Sequence, residues 1–212
     1  GLRRRRRRFQ LRQLAPYFHA RTSATDPAPT PDAPGPSGFE AAPARLWRGE
    51  AAAFADDVRS DVHGNCYATL NGTGSPRVMF AGHLDEIGLM VVHVDEEGFL
   101  SFAGIGGWDP QVFVGQRVTM LGHAGPVHGV IGKKAIHLME KDDREKVSKI
   151  EDLWVDIGAR NRKEALARVR VGDPGVLTSN VLRLPNGRLT SRSLDNRIGA
   201  YVVLEALRLL AG

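Results

Sequence analysis

Cysteine is almost missing from this chain. Cys66 is the single one in 212 residues, so no intrachain disulfide can form. It lies in the strand-like run Cys66-Tyr67-Ala68-Thr69-Leu70 and reads as a small core residue. Long apolar runs are missing too. No segment reaches the roughly 20 residues that a membrane-spanning helix requires. A strong charge imbalance is absent from all but one end. The formal net charge is +5, and removing the six arginines Arg3 to Arg8 from the count leaves −1. The basic balance therefore belongs to the leader and says little about the partners of the remainder. Hydrophobic residues at 42% and charged residues at 25% are ordinary for a globular protein, and the expected compartment is the cytoplasm.

What stands at the start is irregular. Residue 1 is Gly, and the arginine run follows directly. Such a run can bind phosphates or acidic surfaces. It also resembles the basic part of a signal segment, but Arg12, Gln13, Pro16 and His19 interrupt the apolar stretch that would have to follow. No interleaved aromatics or nucleic-acid module accompany it, so nucleic acid is not an expected partner. Thr22 to Pro36 is rich in Pro, Ala, Ser and Asp and reads as a linker. Residues 1–32 are therefore expected to form a disordered leader.

Beyond the leader the periodicity alternates. Phe39 to Phe54 reads as a helix with Ser37 as its cap and Pro43 near its start. Val58 to Val62, Tyr67 to Leu70 and Arg77 to Phe80 read as strands of an α/β layer. Leu89 to Ile131 becomes a series of short β runs. Met90 to Val94 and Phe99 to Phe102 flank the turn Asp95-Glu96-Glu97-Gly98, and Val112 to Leu121 and Val127 to Ile131 continue the pattern. Trp108 in the turn Gly106-Gly107-Trp108-Asp109-Pro110 suits either packing or a peptide access route. Asn161 to Val169 reads as a polar helix with a solvated face. Val181 to Leu184 and Arg188 to Thr190 flank Pro185-Asn186-Gly187, a second hairpin signal.

Two segments carry chemistry. Val78-Met79-Phe80-Ala81 reads as a buried strand, and it ends in Gly82-His83-Leu84-Asp85-Glu86-Ile87-Gly88. Residues two apart on a strand share a face, so His83 and Asp85 are expected together. The imidazole can bind a divalent metal while the carboxylate fixes its tautomer, or the pair can be a simple hydrogen-bonded strand end. Ser191 to Ala200 leads into a helical stretch, Tyr201 to Leu210. Asp195 and Asn196 stand at its N-cap, and Ile198, Tyr201, Val202 and Leu209 are candidates for its apolar face. A carboxylate at Asp195 can bridge two metal ions or can cap the helix. His123, His128 and His137 have no ligand-like spacing. Asp56-Asp57, Glu96-Glu97 and Asp142-Asp143 read as turns or solvated loops.

In register with these segments stand Ala33-Pro34-Gly35-Pro36-Ser37-Gly38-Phe39-Glu40, Asp61-Val62-His63-Gly64-Asn65, Gly104-Ile105-Gly106-Gly107-Trp108-Asp109-Pro110, Gly132-Lys133-Lys134-Ala135-Ile136-His137, Asp152 to Ala159 and Val171-Gly172-Asp173-Pro174. Together they resemble the TET-type and glutamyl aminopeptidase family of two-metal peptidases, over nearly everything from Ala33 onward. The resemblance implies a phosphorylase/hydrolase-like α/β metallopeptidase domain over 33–87 and 180–212, incomplete here, with a small β-barrel dimerisation domain inserted over 88–179. It implies His83 as a terminal metal ligand, Asp195 as the ligand bridging two zinc or cobalt ions, and Asp85 as the catalytic residue orienting the site beside His83. It implies hydrolysis of short peptides from their N-terminus and a homo-oligomer built from dimers.

The resemblance also departs from this chain. Family members carry a general-base Glu, an adjacent Glu ligand, a further acidic ligand and a final His ligand beyond the Asp-Asn-Arg helix, and this sequence stops at Gly212. A polypeptide of this extent is therefore expected to be a fragment, inactive alone and weak in metal affinity. A non-catalytic assembly protein that keeps the β insertion is the alternative. Nothing in the sequence favours sugar hydrolysis over peptide hydrolysis.

Overall fold

The computed structural model describes residues 33–179 and 181–211. The Arg-rich leader and linker expected over 1–32 lie outside the described residues.

The first helix, α1, spans Ala41–Ala51. Ala44, Trp47 and Ala51 are three and four residues apart and form its buried stripe. Pro43 falls in the first turn, where its missing N–H costs nothing. Ser37 is not the cap. Glu40 occupies that position without a side-chain cap bond, and the Ser37 hydroxyl turns to Asp85 instead. Strands β1 (Asp57–Ser60) and β2 (Cys66–Thr69) form an antiparallel ladder. Asp61 closes their turn, with Oδ1 accepting the backbone N–H groups of His63 and Asn65 and Oδ2 accepting the Asn65 amide and the Tyr67 hydroxyl.

The expected buried strand over Val78–Ala81 is not there. Residues 77–85 carry no strand pairing, and Val78, Met79 and Phe80 are 70%, 83% and 56% exposed. The physical reason is pairing. β1 and β2 pair only with each other, and no strand among the described residues pairs with this segment.

A barrel follows. Its strands are β3 (Gly88–Val94), β4 (Leu100–Ile105), β5 (Arg117–Gly122) and β6 (Gly125–Lys133). After the short α2 (Lys141–Arg144) come β7 (Leu153–Asp156), α3 (Arg162–Leu166) and β8 (Pro174–Leu177). They close in the order β3-β4-β7-β6-β5-β8 with every pairing antiparallel. Closure removes free edges, and alternation then decides what points inward. Val118 and Met120 on β5, and Leu153 and Val155 on β7, point in and are buried. Each such side chain contributes about 1.5–3 kcal/mol of burial. Phe113 closes the core edge-on to Phe102 at 5.4 Å and 4.5 Å from Trp108. The Trp108 indole N–H donates to the Gly88 carbonyl at 2.8 Å, so this ring packs against the barrel. The 95–98 turn forms as expected, and Gly98 supplies the required φ of 93°.

Three local expectations change. A 3-10 turn, Pro110–Val112, replaces the start of the β run, and β5 begins only at Arg117. The helix expected over 161–169 shortens to α3, capped by Asn161 through the Glu164 N–H, and the side opposite its solvated face is buried. Ala165 and Val169 are fully buried against the barrel core. The third change concerns the last helix.

After the barrel, β9 (Leu182–Leu184) and β10 (Arg188–Thr190) form the expected hairpin, with Asn186 at φ 62°. The last helix, α4, spans Leu194–Ala211. It packs on α1 through Ala200 and Leu204 against Trp47 and Ala51. The Trp47 indole N–H donates to the Ala200 carbonyl at 3.2 Å, on the side of α4 that faces α1, and this side differs from the expected one. Tyr201 is buried, but Ile198, Val202 and Leu209 stand 37%, 49% and 60% exposed.

Candidate metal centre

Two loops meet at the start of α4. Gly82 makes the approach possible, because a Cβ there would lie 2.8 Å from the Ala200 backbone nitrogen. The next residue, His83, sits beside Asp85 with Nδ1 2.6 Å from Oδ1. The expected strand is missing, yet the two side chains still meet. The Ser37 hydroxyl donates to the other Asp85 oxygen. This bond holds the Asp85 carboxyl below the usual carboxylate range; burial opposes it, and His83 adds to it. An ionised Asp85 is acceptor-only, so the proton of a neutral imidazole belongs on Nδ1. That leaves the Nε2 lone pair facing outward.

Asp195 lies where Nε2 points. Its Oδ1 is 3.9 Å from His83 Nε2, too far for a hydrogen bond. Asp195 does not cap the helix: its backbone is extended at φ −90°, ψ 106°. The cap is Asn196, whose Oδ1 accepts the Gly199 N–H at 2.9 Å. The Asp195 carboxylate is left 99% exposed and free to ligate. Two lone-pair donors facing each other across this gap repel unless a proton or a cation lies between them. For a tetrahedral zinc ion with bonds of about 2.0–2.2 Å, neighbouring donor atoms are roughly 3.4 Å apart, so the gap needs to close only slightly. The donor types and their separation fit one shared divalent ion. No group of three or more His, Cys, Asp or Glu ligands occurs among the described residues, so the pair alone does not complete a coordination sphere.

The sequence reading missed what holds these loops together. Glu86, which directly follows Asp85, is 5% exposed. Its carboxylate accepts from the Gly35 N–H at 3.0 Å, from Arg192 Nη1, and from Arg197 Nη2 at 3.0 Å. Arg197 Nε also donates to the Leu84 carbonyl at 2.9 Å. The available signal was one acidic residue next to His-x-Asp and two arginines flanking Asp195. The other histidines are not drawn in. His123 Nδ1 is 4.0 Å from Asp173, and His128 Nδ1 is 3.2 Å from the Thr119 hydroxyl. A cavity of about 790 Å³ lined by Phe39, Arg45, His63 and Pro174 includes none of His83, Asp85 and Asp195.

Known proteins share the sequence and the fold. Residues 64–212 match the family model for M42 glutamyl aminopeptidase. The chain is 37% identical to the lysyl aminopeptidase of Pyrococcus furiosus over 159 residues, which is 74% of this chain and 45% of that protein. It is 39% identical, with a TM-score of 0.79, to the crystal structure of a TET aminopeptidase from a marine-sediment Thaumarchaeota archaeon, covering 83% of this chain and 50% of that one. The TET1 peptidase of Pyrococcus horikoshii, described as assembling into a tetrahedron or a large octahedral shell, matches with a TM-score of 0.74 at 36% identity, over 82% of this chain and 52% of that one. The chain spans about half the length of the relatives it matches.

Proposed function

This chain belongs to the M42 glutamyl aminopeptidase family, and from that premise we propose that it supplies the His83–Asp195 side of a two-metal aminopeptidase site. The relatives are aminopeptidases, and the α/β fold with its closed barrel is theirs, although this chain is partial relative to the solved chains. The observation that carries the proposal is the outward Nε2 of His83 facing the exposed Asp195 carboxylate at 3.9 Å, with Asp85 fixing the tautomer behind it.

In this reading His83, through Nε2, and Asp195, through its carboxylate, would hold the divalent ions. Bound zinc or cobalt would lower the pKa of a water and polarise the scissile carbonyl. Asp85 acts on the imidazole: it keeps the proton on Nδ1 and holds the ring in its orientation. Ser37 fixes Asp85 in turn. The remaining ligands and the carboxylate that carries the proton to the leaving amine are assigned to the half of the relatives' length outside the match. The substrate is a short peptide with a free N-terminus.

Residues 88–179 are read as an inserted dimerisation domain, and 33–87 with 180–212 as part of the catalytic domain. Self-association through the barrel is supported by the shells described for the Pyrococcus horikoshii relative and by apolar side chains such as Val92 and Val130, which stand exposed on barrel strands. No helix among the described residues is long and apolar enough to cross a membrane. A cytoplasmic location is part of the same proposal.

The test is complementation. The chain is mixed with a polypeptide covering the unmatched half of the lysyl aminopeptidase relative, with Co²⁺ or Zn²⁺, and amino-acid release from short peptides is assayed. Release by the mixture but by neither part supports the reading. Oligomers that form without metal uptake or release favour the non-catalytic assembly alternative.

A further inference from the structure

Glu86 makes no contact with the gap between His83 and Asp195, yet three segments converge on it. Its carboxylate takes one donor from the segment before α1 (Gly35 N–H) and two from the α4 entrance (Arg192 and Arg197). Its own backbone completes the junction. The Glu86 N–H donates to the Gly35 carbonyl at 3.0 Å, and its carbonyl accepts the Ser37 N–H at 3.1 Å. The ion pairs are shielded from water, with the Glu86 side chain 3% exposed and those of Arg192 and Arg197 12% and 10%. The residue before Glu86 is Asp85, which holds His83. Arg197 lies two residues after Asp195, and Arg192 three before it. Removing this carboxylate takes a buried counter-charge from both guanidinium groups, and breaking a buried ion pair costs more than breaking a surface one.

We propose that Glu86 is a positioning residue for the metal centre: its carboxylate clasps the 35–37, 84–86 and 192–197 segments and so sets the distance between His83 and Asp195. The proposal rests on the metal-site reading above for its consequence, but the clasp itself does not. Besides the clasp, the two ligand segments are joined by the Arg197 Nε bond to the Leu84 carbonyl and by the packing of Gly82 on Ala200.

The experiment uses the full chain and three proteins: wild type, Glu86→Gln, and Val155→Ala as a control for general destabilisation inside the barrel. Hydrogen exchange is read by mass spectrometry without metal. Glu86→Gln is expected to speed exchange about tenfold or more in peptides covering 33–37, 82–87 and 191–198 together, while barrel peptides keep their wild-type rates and Val155→Ala shows the opposite pattern. Co²⁺ alone is then titrated and followed by its visible absorption. Glu86→Gln should lose at least tenfold in Co²⁺ affinity while Val155→Ala keeps it, and Glu86→Asp should recover part of the loss. Unchanged exchange in the three segments overturns the clasp whatever the metal does. Loosened segments with wild-type Co²⁺ affinity overturn its positioning role. If wild type takes up no Co²⁺, the metal-site reading fails for this chain and so does the positioning role, while the exchange result still decides the clasp.

Discussion

The barrel and the α/β part of this chain solve the same problem to different degrees. In the barrel every strand has two neighbours, and closure leaves no edge to cover. Its core holds residues such as Leu89, Phe113 and Val155 with no exposure at all. In the α/β part, two helices and a two-stranded ladder share a small core around Trp47 and Leu204, and the apolar segment Val78–Phe80 stands open beside it. The difference separates two kinds of information in a sequence. A unit that closes on itself obeys its own alternation. A unit whose layers are partial leaves part of its apolar patterning exposed.

The contrast can be tested by substitution. Phe113→Ala empties the centre of the barrel and should cost about 3–5 kcal/mol, read as a lower urea midpoint. A loss under about 1 kcal/mol would mean that the barrel core is not packed as described. Removing the Asn161 cap of α3 with Asn161→Ala should cost about 1 kcal/mol in the same assay, because α3 is tied to the barrel wall through Ala165. In the other region, Phe80→Ala should change the stability of the chain by less than about 0.5 kcal/mol, since the ring makes little of its burial here. The same substitution should weaken complementation in the amino-acid release assay. A large stability loss at Phe80 would show that the segment is already covered.

The smallest expected effect concerns pH. Asp61 is held below its usual value of 3.8, first by the Asn65 side chain and then by Tyr67 and the backbone N–H groups of its turn, with burial opposing. A carboxyl with a lowered folded-state pKa stabilises above the unfolded value, and that contribution is lost as pH falls through the folded one. Thermal melting of wild type should therefore decline on the acid side of 3.8, and Asp61→Asn should flatten that limb. Superimposed acid limbs would contradict the role given to this turn.

Much of the fold was legible in the residues, for identifiable reasons. The turns Asp95–Gly98 and Pro185–Gly187 carry their own backbone chemistry, so both hairpins stand where the pattern puts them. The closed barrel agrees with the run of short apolar strands. The Val78–Ala81 strand was not legible, because an apolar run states a preference for burial and does not supply the partner. The buried face of α4 departs from the apolar pattern: the helix meets Trp47 on its Ala200–Leu204 side, whereas hydrophobicity alone favours Ile198 and Val202. At the site, motif resemblance put His83, Asp85 and Asp195 together, and the distances agree. Glu86, Arg192 and Arg197 lie within the same motifs, but charged residues in a motif read as solvated until a structure shows them buried against each other.

The central claim is that His83 and Asp195 face one cation between them. Co²⁺ titration of wild type, His83→Ala, Asp195→Asn and the double variant, followed by visible absorption, tests it most directly. The account predicts that either single substitution abolishes the binding seen with wild type and that the double variant is no worse than either. Wild-type affinity retained by either single variant, or losses that simply add in the double variant, would contradict it.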